Sequence, residues 1–303
     1  MTGLLRAEVR RLLSRRLFRI LALVFLGLML LVQVVGAVKS REESAMERAA
    51  NAEAQHFCAE AQQRGELAPG ESCDDFVPYH PRYETRRALP GAVAAVSGAT
   101  IVLAFVAGAS GVGADWSAGT MQALLFWEPR RGRVILAKAA ALVGVVVAFA
   151  VAAQALAFGT TFLVAAARGT NDGATSGFVI SQALGAGRGV LVAVFLGLLG
   201  FAIAGLARHT GAALGASFVY LVGEQVIGSV FVGWNRYLLT RTIAAALANG
   251  IDVPAGPPPR GSQESFESLV FHLTGPRGAL TLAVYVLIAV GAFYLVFDRR
   301  DVT

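Results

Sequence analysis

The chain has 303 residues, of which 55% are hydrophobic and 15% charged, and its mean hydropathy is +0.60. A soluble domain of this size does not need several apolar runs of about twenty residues, so the composition indicates a polytopic membrane protein. The net charge of +6 comes almost entirely from arginine. In a membrane protein such charge typically sets the topology. The sequence has no basic patch interleaved with aromatic residues, so no nucleic acid is expected as a partner.

The chain begins with a basic amphipathic segment, which predicts an interfacial helix over residues 1–16. Leu5, Val9 and Leu12 share one helical face and arginines occupy the others, a pattern typical of helices that lie in the headgroup plane. A simple positive anchor for the first span and a signal peptide are the alternatives. The apolar run at 17–38 is longer than a usual cleavable segment and lacks a good cleavage site, so it is predicted as the first span.

Residues 39–88 form a hydrophilic, acid-rich loop that holds both cysteines of the chain, Cys58 and Cys73. A disulfide across a loop of this length is worth about 3 kcal/mol in the chain-entropy account. Two free thiols in a cytoplasmic loop are the alternative. Because both cysteines lie in one loop and none in a span, the bridge is favoured, and it predicts an extracellular loop.

The other spans are predicted at about 89–113, 134–164, 189–206, 211–233 and 279–297. Residues 178–184 are predicted as a separate, short interfacial piece before the fourth span. Residues 234–278 are predicted as an extracellular or re-entrant segment, with short helices at 237–249 and 262–273 that cannot span a bilayer. An ordinary outer loop with two surface helices is the alternative.

An even number of spans places both termini on one side of the membrane. Lysine and arginine divide equally between the two sides, but the positive-inside rule applies to short segments near span ends. Arginines crowd into residues 1–19, and Lys138 joins three more in residues 130–138. Both termini and the loop at 114–133 are therefore predicted to be cytoplasmic, in the plasma membrane of the cell.

The sequence carries no recognisable catalytic constellation. It has no Walker A sequence to hold ATP phosphates and no H-E-x-x-H sequence. The four histidines, His56, His80, His209 and His272, lack metal-ligand spacing, so no metal site is predicted. The expectation is a chain that is not an enzyme and binds no cofactor.

Glu224, followed by Gln225, is the one acid deep within a predicted span. An acid at membrane depth is costly and is therefore a candidate for a substrate path or a gate. The alternatives are an acid that is solvated near the outer surface, or one that hydrogen-bonds a neighbouring helix.

The segment between the second and third spans is too polar to cross a membrane and too apolar for a plain linker. It reads ADWSAGTMQALLFWEPRRGRVILAK from Ala114 to Lys138. Thr120 or Ser117 can cap a short helix that Pro129 ends. The resulting helix has an apolar stripe and an aromatic tip, which suits either the membrane surface or a groove on a cytoplasmic protein.

The segment resembles the corresponding part of permease subunits of type-2 ABC transporters. The resemblance rests on acid-Trp-x-x-Gly-Thr-x-x-x-Leu-Leu, then Pro, Arg and a Lys that opens the next span. The basic amphipathic start, six spans and the Arg-Arg-Asp tail agree with it. Asp115 stands where this family often has Glu, and Gly132 where Arg is common.

The resemblance implies a coupling helix that docks in a cleft of a separate ATP-binding subunit. Two copies of that subunit, carrying ATP and Mg, would drive an exporter made with a second permease subunit in the lipid bilayer. The implied partner-binding residues are Asp115, Gly119, Thr120, Leu124, Leu125, Trp127, Pro129, Arg130, Arg131 and Arg133. Two other functions stay open: an ATPase-independent carrier or channel that uses Glu224, and a non-transporting membrane scaffold.

Overall fold

The computed structural model describes residues 2–66, 73–80, 82–254 and 270–299, and these ranges are mostly helical. The helices are α1 (Thr2–Ser14), α2 (Arg16–Lys39), α3 (Ala45–Gln63), α4 (Thr85–Ser117), α5 (Thr120–Trp127), α6 (Arg131–Arg168), α7 (Ser176–Ala207), α8 (Thr210–Val230), α9 (Leu239–Ala248) and α10 (Gly275–Arg299). Six of them, α2, α4, α6, α7, α8 and α10, are long and apolar enough to cross a membrane. The prediction of an all-α, multi-pass membrane protein is confirmed at this level.

Two small strand pairs complete the described elements. Strands β1 (Tyr83–Glu84) and β2 (Gly169–Thr170) pair in parallel, and β3 (Gly250–Pro254) pairs antiparallel with β4 (Val270–Thr274). The helix predicted at 262–273 is wrong over residues 270–273, which belong to β4, and residues 262–269 lie outside the described ranges. Pairing with β3, far away in sequence, overrides the local helical pattern.

Helix α7 is continuous, so the prediction of a separate piece at 178–184 is wrong. The helix starts where the Thr175 hydroxyl accepts the Phe178 N–H at 3.3 Å. The glycines within the helix do not break it. At Gly189 the absence of a side chain lets α7 pack closely against α4, since a Cβ there would come within 2.2 Å of the Ser97 hydroxyl. One consequence is that Arg188, at the edge of the predicted fourth span, lies inside the helix.

The centre of the bundle is the contact between α4 and α7, where two backbones touch. A Cβ on Gly108 would come within 2.0 Å of the Gly197 carbonyl oxygen, and one on Gly200 within 2.4 Å of the Phe105 carbonyl oxygen. Small residues permit this approach in membrane helices. Phe201 of α7 continues the core by an edge-on contact with Phe293 of α10.

The long helices alternate in direction, which gives the bundle two distinct ends. At the connector end, named after the 118–130 connector between α4 and α6, the side chain of Arg131 binds the carbonyl oxygens of Phe297 and Asp298 near the end of α10. At the disulfide end, Cys58 and Cys73 are joined, with their Cα atoms 5.5 Å apart. The first helix and the end of α10 both lie at the connector end.

The disulfide end is organised by polar contacts between segments that are far apart in sequence. The Gln33 amide of α2 donates to the Thr161 hydroxyl of α6 at 2.9 Å, and the Tyr83 hydroxyl binds the same glutamine. The Ser44 hydroxyl accepts the N–H of Glu47 and completes a capping box at the start of α3. The Arg41 guanidinium beside Glu47 lowers the pKa of that carboxyl to about 2.

Replacing Gly108 by alanine is expected to destabilise the bundle, because the added methyl group must displace the backbone of α7. Overpacking of this kind costs about 1–3 kcal/mol. We expect a melting temperature lowered by several degrees for the detergent-solubilised chain, measured by tryptophan fluorescence.

Gly98→Ala is the matched control in the same helix, since a Cβ at Gly98 meets no atom within 4 Å. Alanine is a better helix former than glycine, so this control is expected to be neutral or stabilising. Equal effects of the two substitutions would contradict the α4–α7 packing described here.

Candidate partner-docking site

The connector turns sharply at Gly119, whose φ of +67° lies in the left-handed region. A side chain is disfavoured in this conformation, so glycine suits the position. The predicted side-chain cap by Thr120 or Ser117 is wrong. Both hydroxyls donate back to α4: Thr120 to the Asp115 carbonyl at 3.2 Å and Ser117 to the Gly113 carbonyl at 3.0 Å. The Thr120 bond fastens the start of α5 to the end of α4, whereas the Ser117 bond lies within the last turn of α4.

Helix α5 buries one face and presents the other to its surroundings. Met121 is buried, and Leu124 and Leu125 are half-buried against the core of the bundle. Phe126 and Trp127, by contrast, are 90% and 91% exposed. The exposed part of α5 is thus the aromatic tip, whereas the two leucines pack against the bundle.

The end of α5 leads directly into charged residues. Pro129 and Arg130 are exposed, and Arg130 precedes the first residue of α6. Arg131 is drawn onto the end of α10 by two hydrogen bonds of 3.0 Å. Arg133 lies 4.0 Å from Glu128, an ion pair that is largely open to its surroundings. The connector is therefore joined to α4 and α6, and Arg131 at the start of α6 contacts the end of α10.

A buried group of charges lies directly behind the connector. This charge cluster consists of Glu8, Arg11, Arg15, Asp115 and Lys138. The Lys138 ammonium donates to Glu8 Oε2 at 2.9 Å and to Asp115 Oδ2 at 2.6 Å. Arg15 donates to Asp115 Oδ1 at 2.9 Å and to the Ser110 carbonyl at 2.6 Å.

The burial of the cluster makes its pairing obligatory. Glu8, Asp115 and Lys138 are each 5% exposed. Burying an unpaired charge is strongly unfavourable, whereas a charge that is paired and hydrogen-bonded is tolerated. Since the three residues come from α1, α4 and α6, these elements are held together where the connector begins.

The Asp115 carboxylate is accordingly an internal residue, although the sequence analysis assigns it to partner contact. Its neighbour Trp116 is half-buried: the Arg208 guanidinium lies 4.5 Å above its ring, and Phe297 meets the ring edge-on. Six of the assigned residues are exposed: Gly119, Thr120, Trp127, Pro129, Arg130 and Arg133.

The two remaining predicted residues, Glu224 and Gln225, lie on α8 toward the disulfide end. Glu224 is 1% exposed, and its Oε1 accepts both the Thr240 N–H at 2.8 Å and the Thr240 hydroxyl at 2.6 Å. The carboxylate thereby ties α8 to the first turn of α9. Gln225 is exposed and lines a cavity beside it. The structure does not bring this pair near the connector.

Four members of the charge cluster are not predicted from the sequence as site residues: Glu8, Arg11, Arg15 and Lys138. The first three were treated only as parts of an amphipathic helix, and Lys138 only as the opening of a span. One signal was available, since Glu8 is the single acid among the arginines of the first nineteen residues. Arg188 inside α7 was also missed, because it was read as the boundary of a span.

The described residues contain no group of three or more His, Cys, Asp or Glu side chains that could hold a metal ion. The connector region itself consists of apolar side chains and paired charges. Its arrangement suits a surface that binds another molecule.

Replacing Lys138 by methionine is expected to release α1 from the bundle. The substitution keeps the volume of the side chain but leaves the carboxylates of Glu8 and Asp115 with one cation fewer in a buried site. Breaking a buried ion pair costs about 3–5 kcal/mol. We expect amide hydrogen exchange in residues 2–14 to accelerate at least tenfold, measured by mass spectrometry.

Arg133→Met serves as the control, because Arg133 is a cation of the same segment that is 46% exposed and lies 4.0 Å from its described partner Glu128. This variant should leave exchange in α1 unchanged. Unaltered exchange in Lys138→Met would show that the charge cluster does not hold α1.

Comparison with protein-family models gives no match for this chain, and comparison with curated proteins gives none either.

Proposed function

We propose that the chain is the membrane-spanning permease subunit of an ATP-driven ABC exporter of the type-2 class. The observation that carries the proposal is the aromatic tip of α5, Phe126 and Trp127, which is about nine-tenths exposed at the end of a helix fixed to the bundle. A large exposed apolar pair beside arginines is the form of a docking surface.

In this proposal α5 is the coupling helix and inserts its tip into a cleft of an ATP-binding subunit. Leu124 and Leu125 keep α5 attached to the bundle, and Arg130 borders the contact. Force applied at the tip reaches α4 and α6 through the backbone, and α10 through Arg131. Three long helices can therefore respond to one contact, as alternating access requires.

The connector end is assigned to the cytoplasm. Arginines are dense in α1 and between residues 130 and 138, both short segments at span ends, where the positive-inside rule applies. The disulfide of Cys58 and Cys73 is at the opposite end, which suits an oxidising exterior. The first helix and the end of α10 then both face the cytoplasm, in a plasma-membrane protein.

The partners follow from what the chain carries and where its surface is apolar. The sequence has no Walker A motif, so ATP and Mg belong to two copies of the partner subunit. Most of the apolar surface of α2 and α8 is exposed. These helices are available to lipid and to a second permease subunit, and the substrate path lies between the two permeases.

A second function is favoured by one observation, the buried Glu224 carboxylate at membrane depth. An ATPase-independent carrier that uses this acid would sustain flux after ATP is depleted. An ABC exporter would not, which separates the two functions.

Replacing both Phe126 and Trp127 by aspartate is expected to abolish binding of the ATP-binding subunit. The change places two charges in an apolar contact, yet both side chains lie outside the core, so folding is retained. The measurement is co-purification of the tagged chain from membranes of its own source, with the captured protein identified by its Walker A peptide and its ATP hydrolysis.

Phe57→Asp is the control, since Phe57 is 70% exposed on α3 at the disulfide end. It should leave capture of the ATP-binding subunit unchanged. The proposal fails if the native chain captures no Walker A protein, or if the double variant captures as much as the native chain.

The orientation can be tested with the native cysteines, because the chain has only two. In intact cells, a membrane-impermeant phosphine reductant followed by an impermeant maleimide should label both Cys58 and Cys73. In a variant with both replaced by serine, a cysteine at Ser117 should be labelled only after permeabilisation. The reverse pattern would place the connector outside the cell.

A further inference from the structure

A small polar cavity of about 280 Å³ lies between α8, the start of α9 and the segment that joins them. Six of its lining residues are polar or charged: Glu224, Gln225, Ser229, Asn235, Thr240 and Arg241. The cavity is far from the connector and plays no part in the docking described above. A polar cavity beside a membrane-depth acid is a candidate binding site.

Glu224 lines this cavity, and its carboxylate has one committed oxygen and one uncommitted oxygen. Its Oε1 accepts the two hydrogen bonds of Thr240, while its Oε2 is buried and accepts no hydrogen bond from any residue in the described ranges. A buried acceptor without a donor is costly, by about 1–3 kcal/mol or more for a charged group. Oε2 is thus the oxygen left for a donor supplied by a ligand.

Arg241 lines the same cavity from the first turn of α9. Its side chain is exposed and forms no ion pair or hydrogen bond within the part of the chain that the structure describes. The cavity therefore combines one carboxylate with one guanidinium. The N-terminus of α9 adds further positive potential, which Glu224 faces through Thr240.

These charges select the class of ligand. A simple cation is attracted by Glu224 but repelled by Arg241 and by the N-terminus of α9. A simple anion is attracted by Arg241 but repelled by Glu224. A ligand that carries both charges satisfies both side chains, and the size of the cavity limits that ligand to a small molecule or a headgroup.

The geometry points to a binding site for a small zwitterion in this cavity, with a primary ammonium on Glu224 Oε2 and an oxyanion on Arg241. Free phosphoethanolamine and the headgroup of phosphatidylethanolamine share this chemistry. A quaternary ammonium does not, since it has no N–H to donate to Oε2. The site goes beyond the proposed function, because it needs neither an ATP-binding subunit nor transport.

The test uses the full chain in phosphatidylcholine nanodiscs with radiolabelled phosphoethanolamine as the probe. We expect saturable binding, with ethylamine and methyl phosphate competing at least tenfold more weakly than unlabelled phosphoethanolamine. Phosphocholine should also compete at least tenfold more weakly. No saturable binding, or ethylamine competing as well as phosphoethanolamine, would overturn the assignment.

Two substitutions locate the site. Glu224→Gln keeps an amide oxygen for Thr240 and replaces only the acceptor Oε2 by an N–H₂ group. Arg241→Gln changes an exposed residue and so leaves the fold intact even if Glu224→Gln does not fold. Each is expected to weaken phosphoethanolamine binding at least tenfold, and unchanged binding in Arg241→Gln would overturn the proposal.

The exposed pair of α3 provides matched controls, since Glu60 and Arg64 lie 3.6 Å apart in the loop of the disulfide. Glu60→Gln and Arg64→Gln should leave binding unchanged, and a loss as large as in the cavity variants would overturn the site. A final arm replaces one fifth of the phosphatidylcholine by phosphatidylethanolamine. Weaker apparent binding of the free probe then supports the site with the lipid headgroup as occupant, and unchanged binding supports it with the free molecule.

Discussion

The buried charge cluster is the constraint on which the connector end depends. Lys138 lies between two carboxylates from different parts of the chain, and none of the three is open to solvent. Buried charges of this kind contribute little net stability compared with an apolar core, but each is costly once its partner leaves. Their effect is therefore positional: α1, the end of α4 and the start of α6 meet in one arrangement. The start of α5 is held in that arrangement by Thr120, whose hydroxyl binds the backbone of Asp115.

The helices of the bundle are not all packed equally closely. Helices α4 and α7 approach until their backbones touch at Gly108, whereas α2 and α8 leave most of their apolar surface uncovered. In a bilayer, exposed apolar surface has no aqueous cost, so close packing of small residues and not hydrophobic burial decides which helices form the centre. The dense pair supplies a rigid core, and the outer helices are free to meet lipid or another subunit.

Local features of the sequence are sufficient to predict six long helices, except for the first three turns of α7, and the short helix before Pro129. Long apolar runs and helix-ending residues act within a few turns, so they can be read from one segment at a time. The partners of Lys138 and the strand at Val270 could not be found in this way, because each depends on a contact with a distant segment. The exposure of Phe126, in contrast to Leu124 beside it, likewise depends on the position of the rest of the bundle.

Helix α8 connects the two candidate sites physically. Its first residue, Thr210, touches the end of α4 at Gly113, which lies two residues before Asp115. A Cβ on Gly113 would come within 2.6 Å of the Thr210 nitrogen. Near its other end, Glu224 holds the first turn of α9 through Thr240. A helix of this length is about 30 Å of rigid structure. A shift of α4 driven at the connector must therefore either move α8 as a unit, with α9 and the polar cavity attached, or break a close contact at Gly113. The small size of Gly113 permits that close contact, so α8 links the end of α4 to the segment that lines the polar cavity.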